Sequence, residues 1–155
     1  MVTFIETTYV KTGPPNHKFW LVKKDTPYEK LYGQTCSLKI SDDIVRYISD
    51  HFFWFKTLNP VGKNFSGLNY EGITIINQDI APIFERTCFL LSELFEMHPN
   101  PVILRSHDIH EVSEQEIGFC DYETDRNKLV RDLRELANFA RITAKGEHKI
   151  IHFGL

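Results

Sequence analysis

The chain has 155 residues, of which 42% are hydrophobic and 25% charged, with a net charge of −3. This size suits one domain with one core, and the composition argues against long disorder, a fibrous repeat or a membrane protein. The slightly acidic balance also argues against a general affinity for nucleic acid, because domains that bind nucleic acid usually carry a basic face.

The first two predicted elements are strands. Residues 2–10 and 17–23 are rich in β-branched and aromatic side chains, and Gly13-Pro14-Pro15-Asn16 predicts a turn between them. With so short a connection, the two strands are expected to form an antiparallel hairpin. Residues 24–37, which contain a proline and a glycine, predict a loop.

A first helix is predicted after this loop. Ser41 is a typical N-cap, and two aspartates follow it in the first turn, where their negative charge interacts favourably with the helix dipole. Four apolar residues recur at helical spacing and predict the buried face: Ile44, Ile48, Phe52 and Phe55. Residues 59–67 carry glycine and proline and predict a polar loop.

The middle of the chain predicts a strand followed by a second helix. The strand is residues 72–76, and Asn77 or Asp79 caps the helix. One apolar stripe is predicted on this helix: Ile80, Ile83, Phe84, Thr87, Leu91 and Leu94. The sequence His98-Pro-Asn-Pro101 ends it.

The remaining elements are a strand over residues 101–104 that could extend to 109, a helix over about 124–144 and a final strand from Lys149. Residues 110–121 fit either an edge strand or a solvated loop. The order is then β-β-α-β-α-β-α-β. We expect a single domain over residues 1–155 of the α/β or α+β class, with a single central sheet of about five strands covered by three main helices.

Chemical motifs are few. His107 and His110 form the densest group of potential metal ligands, but on a strand residues three apart point to opposite faces. Cys36 and Cys120 lie in no local catalytic signature, and no glycine-rich phosphate loop occurs. We therefore predict no catalytic residue, no metal and no cofactor, hence a protein that is not an enzyme.

A cytoplasmic location is expected. The first residues form neither a basic segment nor an unbroken apolar one, so no signal peptide is predicted, and no apolar run has the length of a membrane helix. Three widely spaced cysteines suit reduced thiols, and Cys88 is predicted to be a small core residue.

Charge is unevenly distributed near the C-terminal half. Between Arg105 and Arg126 there is no lysine or arginine, whereas seven residues are acidic. This segment is either a solvated loop or a patch that steers a basic partner. The aromatic run at residues 51–55 also has two interpretations, because one helix face cannot bury all of its rings. The remaining rings are either covered by the following loop or form part of a surface for a partner.

Three patterns resemble the small immunity proteins encoded beside bacterial polymorphic or contact-dependent growth inhibition toxins. They are the strand Gly72-Ile-Thr-Ile-Ile76 entering a long helix, a later helix rich in leucine and arginine, and the C-terminal Ile150-Ile-His-Phe-Gly154. The resemblance implies a protein that binds and blocks one cognate toxin, commonly a nuclease. It transfers no functional residue.

The function predicted from the sequence is that of an immunity protein that occludes the active site of a toxin, with a basic toxin domain as partner and no direct contact with nucleic acid or membrane. The predicted contacts are acidic and aromatic side chains: Asp108, Glu111, Glu114, Glu116, Asp121, Glu123, Phe52, Trp54 and Phe55. The alternatives are a small hydrolase or transferase that uses the histidine cluster, and a structural or assembly subunit.

Overall fold

The computed structural model describes residues 3–113 and 116–155, with side chains described for 11–105 and 121–155. It contains nine strands, four α-helices and one 3₁₀ turn within this part of the chain. In chain order these are β1 (Thr3–Lys11), β2 (Asn16–Lys23), the 3₁₀ turn (Tyr28–Leu31), β3 (Leu38–Ser41), α1 (Asp42–Ile48), α2 (Asp50–Phe53), β4 (Lys56–Leu58), β5 (Asn64–Ser66), β6 (Ile73–Ile76), α3 (Ala81–Glu96), β7 (Val102–Ser113), β8 (Glu116–Thr124), α4 (Arg126–Thr143) and β9 (His148–Phe153).

The main sheet has six strands in the order β3-β2-β9-β6-β4-β5, and all its pairings are antiparallel. This confirms an α+β fold built on a central sheet. The final strand β9 lies between β2 and β6, and its consecutive residues Ile150 and Ile151 pack into the cores on the two faces of the sheet. The predicted burial of the chain end follows from this position: Ile150, Ile151 and His152 are all inaccessible to solvent.

Three further strands form a second sheet in the order β1-β8-β7. The prediction of a single sheet therefore accounts for the main sheet but not for this second one. The expected hairpin of the first two strands is wrong. Both edges of β2 are occupied, by β3 and β9, whereas β1 pairs in parallel with β8. A short connection permits a hairpin but does not require one when other strands offer longer pairings.

The helices cover one face of the main sheet. Ile44, Ile48, Phe52 and Phe55 are buried, which confirms the predicted inner face, although the single predicted helix is divided into α1 and α2. The stripe predicted on α3 is rotated: its inner face includes Phe84, Cys88, Leu91 and Phe95, and Leu94 points outward. The predicted core role of Cys88 is confirmed, and burial raises the pKa of its thiol.

The opposite face of the main sheet is covered by the segment between β2 and β3. Leu31 in the 3₁₀ turn packs with Trp20 of β2 and Ile151 of β9 in a small second core. The predicted loop therefore also contributes to the core. Within the described residues, no helix is long and apolar enough to cross a lipid bilayer.

Candidate functional site

Two neighbouring aromatic side chains project into solvent at the end of α2. Phe53 is 68% exposed and Trp54 is 65% exposed, although both residues before and after them in the sequence, Phe52 and Phe55, are buried. The rings of Phe52 and Phe55 lie 5.2 Å and 6.2 Å from the ring of Phe84, in the core. The four aromatics span about one helical turn. The first and the last therefore lie on the same, buried side, and the two between them face outward.

The chain around Phe53 is held in place by the loop that follows β5. Gly67 donates its amide to the carbonyl of Phe55 at 3.0 Å and accepts the Thr57 hydroxyl at 2.5 Å. Gly67 has a φ of +66°, and a Cβ at this position would lie 3.0 Å from Cα of Phe53. The backbones therefore approach as closely as a glycine allows, which positions the backbone from which the exposed ring projects.

A small notch opens beside Phe53. It has a volume of about 150 Å³, and its walls include Val45, Phe53, Leu68 and Tyr70. Pockets for small-molecule ligands usually enclose about 300–1,000 Å³, so this notch is better matched to one side chain of another protein. We call Phe53, Trp54 and Tyr70 the aromatic surface.

Tyr70 connects the aromatic surface to the interior. Its ring lies 5.3 Å from that of His17, and its hydroxyl lies close to the carboxylate of Asp42. Partial burial, followed by the proximity of Asp42, raises the pKa of Tyr70 to about 12, so the phenol stays neutral. The aromatic surface therefore adjoins a buried carboxylate.

Behind Tyr70 lies a buried chain of hydrogen bonds. His17 Nε2 lies 3.1 Å from Asp42 Oδ1, and His17 Nδ1 lies 2.8 Å from His152 Nε2. On the far side, His152 Nδ1 lies 3.4 Å from the Thr74 hydroxyl, which accepts the amide of Asn69 at 2.7 Å. We call His17, Asp42, Thr74 and His152 the histidine chain.

The direction of each bond in the histidine chain follows from its ends. A carboxylate only accepts, so His17 donates from Nε2 to Asp42 and its Nδ1 must accept from His152 Nε2. His152 Nδ1 then accepts from the Thr74 hydroxyl. With both imidazoles neutral, each of their ring nitrogens has one partner of the right kind.

Burial keeps both imidazoles neutral. It lowers the pKa of His17, although the hydrogen bond and charge of Asp42 oppose that shift. Burial, and to a lesser extent the neighbouring His17, lowers the pKa of His152 to about 3. Neither side chain reaches solvent, so the arrangement is suited to satisfying buried polar groups rather than to binding a substrate.

The residues predicted from the sequence to contact a partner lie in different environments. Trp54 is available to a partner, but Phe52 and Phe55 are core residues, because their rings fill the space between α2 and α3, and this corrects their assignment as surface anchors. Asp121 is only 1% exposed and binds Arg105 at 3.0 Å, so its charge is compensated within the fold. Glu123 is half-buried at the rim of a separate cleft.

The other predicted acidic contacts lie outside the part of the structure in which side chains are described: Asp108, Glu111, Glu114 and Glu116. The same holds for His107, His110 and Cys120. The backbone resolves one open question, since residues 110–113 continue β7 and residues 116–121 belong to β8. A role of this segment in steering a partner remains a prediction.

A second cavity of about 470 Å³ lies where the two sheets meet the start of α4. Two lysines, Lys11 and Lys128, line it together with three acidic residues, Glu123, Asp125 and Asp132, and Lys128 and Asp132 form an ion pair with each other. The cleft therefore carries both signs of charge. Among the residues with described side chains, no group of three or more histidines, cysteines or acids is arranged to hold a metal ion.

The histidine chain was not predicted from the sequence. His17 and His152 are 135 positions apart, and they meet because β2 and β9 pair so that Phe19 lies opposite His152. The one available signal was the position of His152 within an apolar strand. Comparison with known proteins adds no relative, since no family model, curated protein or solved structure matches the chain.

Proposed function

We propose that this protein is an immunity protein, which binds a cognate toxin in the cytoplasm and blocks it by covering its active site. The observation that carries the proposal is the exposure of two consecutive aromatic residues, Phe53 and Trp54, at the end of α2. The resemblance of the sequence to immunity proteins supplies the class of partner.

Exposed neighbouring aromatics are costly for a protein that works alone. Each ring leaves a large apolar area in water, and burial recovers about 25 cal/mol for each Å² removed from solvent. Tryptophan and other large aromatics dominate the energetically important centres of protein interfaces. Phe53 and Trp54 have the chemistry of such a centre.

The support beneath the aromatic surface favours tight binding. The backbone of Phe53 packs against Gly67, and Tyr70 packs against His17 close to Asp42. Groups that are already ordered lose less conformational entropy on binding, so more of the contact energy appears as affinity. The adjoining notch offers a place for one side chain of the toxin.

The acidic segment supports a basic toxin domain, such as a nuclease, as the partner. A nuclease attracts phosphates and therefore carries positive charge around its active site. Negative side chains on the inhibitor would accelerate association with such a surface. In this proposal the aromatic surface supplies affinity and the acidic segment supplies steering.

The experiment is co-expression with the toxin domain encoded by the neighbouring gene, with growth as the readout. Wild-type protein is expected to restore growth, and the double variant Phe53→Ser/Trp54→Ser is expected to fail. Tyr32→Ser is the matched control, because Tyr32 is an equally exposed aromatic beside the 3₁₀ turn and is expected to leave protection intact. Full protection by the double variant, or a neighbouring product without toxicity, would refute the proposal.

A further inference from the structure

The outward face of α3 carries a second apolar surface, distinct from the aromatic surface. Leu94 is 48% exposed, Met97 just after the helix is 80% exposed, and Leu90 is half-exposed. This face points away from the core, since the inner face of the helix is made by residues such as Phe84, Cys88 and Leu91.

Exposed and half-buried residues of this face together follow the spacing of a coiled-coil seam; Ile83 and Thr87 are half-buried, and Ile83 also packs against the main core. Ile83, Thr87, Leu90, Leu94 and Met97 are separated by alternating steps of four and three residues. This repeat keeps one narrow stripe facing a partner helix. Thr87 suits such a position because its hydroxyl already donates to the carbonyl of Ile83 at 2.9 Å and so needs no partner across the seam. We call these five residues the α3 seam.

Opposite charges flank the α3 seam on one side. Arg86 and Glu93 are seven residues apart, so they lie on the same flank about two helical turns from each other. Both are exposed. Glu93 accepts from Arg134 at 3.0 Å, whereas Arg86 has no hydrogen bond or ion pair to any residue whose side chain is described.

We propose that the α3 seam binds the α3 seam of a second copy of this chain, with the two helices antiparallel. In the alignment that sets Leu90 against Thr87 of the other copy, Leu94 meets Ile83 of the other copy. The same alignment brings Arg86 opposite Glu93 of the other copy, and the two-fold symmetry repeats this ion pair. The apolar layers and the flanking charges therefore agree on one register.

The charge pattern favours a second copy over an unrelated partner. A surface that is complementary to itself under a two-fold axis is the requirement for a symmetric dimer. A contact confined to one helix buries less than the roughly 800 Å² per partner of a standard interface. The dimer is therefore expected to be weak and to dissociate on dilution.

The test is sedimentation velocity of the full chain over a range of concentrations. Wild-type protein is expected to shift from monomer to dimer as the concentration rises. Arg86→Glu alone and Glu93→Arg alone each place like charges across the dimer. Each variant is therefore expected to raise the dissociation constant of the dimer about tenfold or more. Lys145→Glu changes the net charge by the same amount as Arg86→Glu, at an exposed position outside α3, and is expected to dimerise normally.

The decisive arm mixes the two single variants. In the mixed dimer every flanking pair again joins opposite charges, so Arg86→Glu and Glu93→Arg are expected to associate with each other more strongly than either does with itself. Circular dichroism of each variant shows that it is folded. A wild-type protein that is monomeric at all concentrations, or a mixture that associates no better than its components, would overturn the proposal.

Discussion

The rings of His17 and His152 lie within 4° of parallel, with His17 Nδ1 2.8 Å from His152 Nε2. One of these two nitrogens must donate and the other accept, so the contact is favourable only while at least one ring nitrogen carries no proton. The contact also joins β2 to β9 at the centre of the main sheet. It makes the stability of the fold dependent on pH.

The wild-type free energy of unfolding is expected to fall as the pH drops from 7 to 5. The unfolded chain takes up a proton at His152 near pH 6.5, whereas the folded chain resists protonation down to about pH 3. Stability from this residue is thus fully present above pH 6.5 and is lost progressively towards pH 3. The loss between pH 7 and pH 5 is about 2 kcal/mol for one such group, and His17 adds in the same direction.

Urea unfolding at a series of pH values measures this dependence. His152→Gln is expected to flatten the profile, because glutamine does not titrate, even though the variant is less stable at pH 7. His98→Gln, which removes an exposed histidine, is expected to keep the wild-type slope. A wild-type profile that is flat between pH 7 and pH 5 would show that the histidine chain is not held neutral.

Gly154 is expected to tolerate no side chain. A Cβ at this position would lie 2.1 Å from the carbonyl oxygen of Tyr70 and 2.6 Å from that of Asn69, both of them backbone atoms. Gly154→Ala must therefore push the C-terminal residues away from the segment that carries Tyr70, at a cost of about 1–3 kcal/mol. Thermal unfolding measures this cost.

Gly13→Ala is the control for that substitution, because no atom lies within 4 Å of the Cβ it would add. Its free energy of unfolding is expected to stay within about 0.5 kcal/mol of wild type. Equal stability of the two alanine variants would contradict the close packing of the chain end against Tyr70.

Substitutions of a buried and an exposed aromatic in the run at residues 51–55 are expected to differ sharply in their effect on the free energy of unfolding. Phe52→Ala leaves a cavity against Phe84 and is expected to cost about 3–5 kcal/mol. Trp54→Ser removes an exposed ring and is expected to cost less than about 1 kcal/mol. Denaturant unfolding of the two variants tests the alternation, and a large loss in Trp54→Ser would show that this ring is part of the core.

The acidic segment is expected to control the rate of association with a basic toxin. Reversing Glu111, Glu114 and Glu116 to lysine is expected to slow association most strongly at low salt, because charges act over a longer range when screening is weak. Stopped-flow or surface-based kinetics measures the on-rate. The charge-matched control reverses Asp25, Glu29 and Glu147, which are exposed elsewhere; equal on-rates for the two triple variants would contradict steering by this segment.

Local periodicity accounts for the parts of the fold that were predicted. The inner face of α1 and α2 and the helix from Arg126 to Thr143 follow from apolar residues at helical spacing, and β9 follows from its apolar run. In each case the evidence lies within about one helical turn or a few residues of strand. The cap of α4 was not predicted: Asp125 accepts from the amide of Asn127 at 2.8 Å.

Long-range pairing accounts for what was missed. The parallel pairing of β1 with β8 and the meeting of His17 with His152 join residues more than 100 positions apart, and no local pattern specifies them. The same limit explains Asp121, whose charge is compensated because the register of β7 and β8 sets it opposite Arg105. The alternation of buried and exposed aromatics also depended on where α3 packs.

The affinity of the purified chain for its toxin, measured by isothermal titration calorimetry, tests most directly whether the aromatic surface is the binding site. The Phe53→Ser/Trp54→Ser variant is expected to bind about 100-fold more weakly or worse, since two interface anchors are removed. Tyr32→Ser is expected to bind like wild type. Affinity of the double variant within about threefold of wild type, a difference of less than 1 kcal/mol, would contradict the proposed binding site.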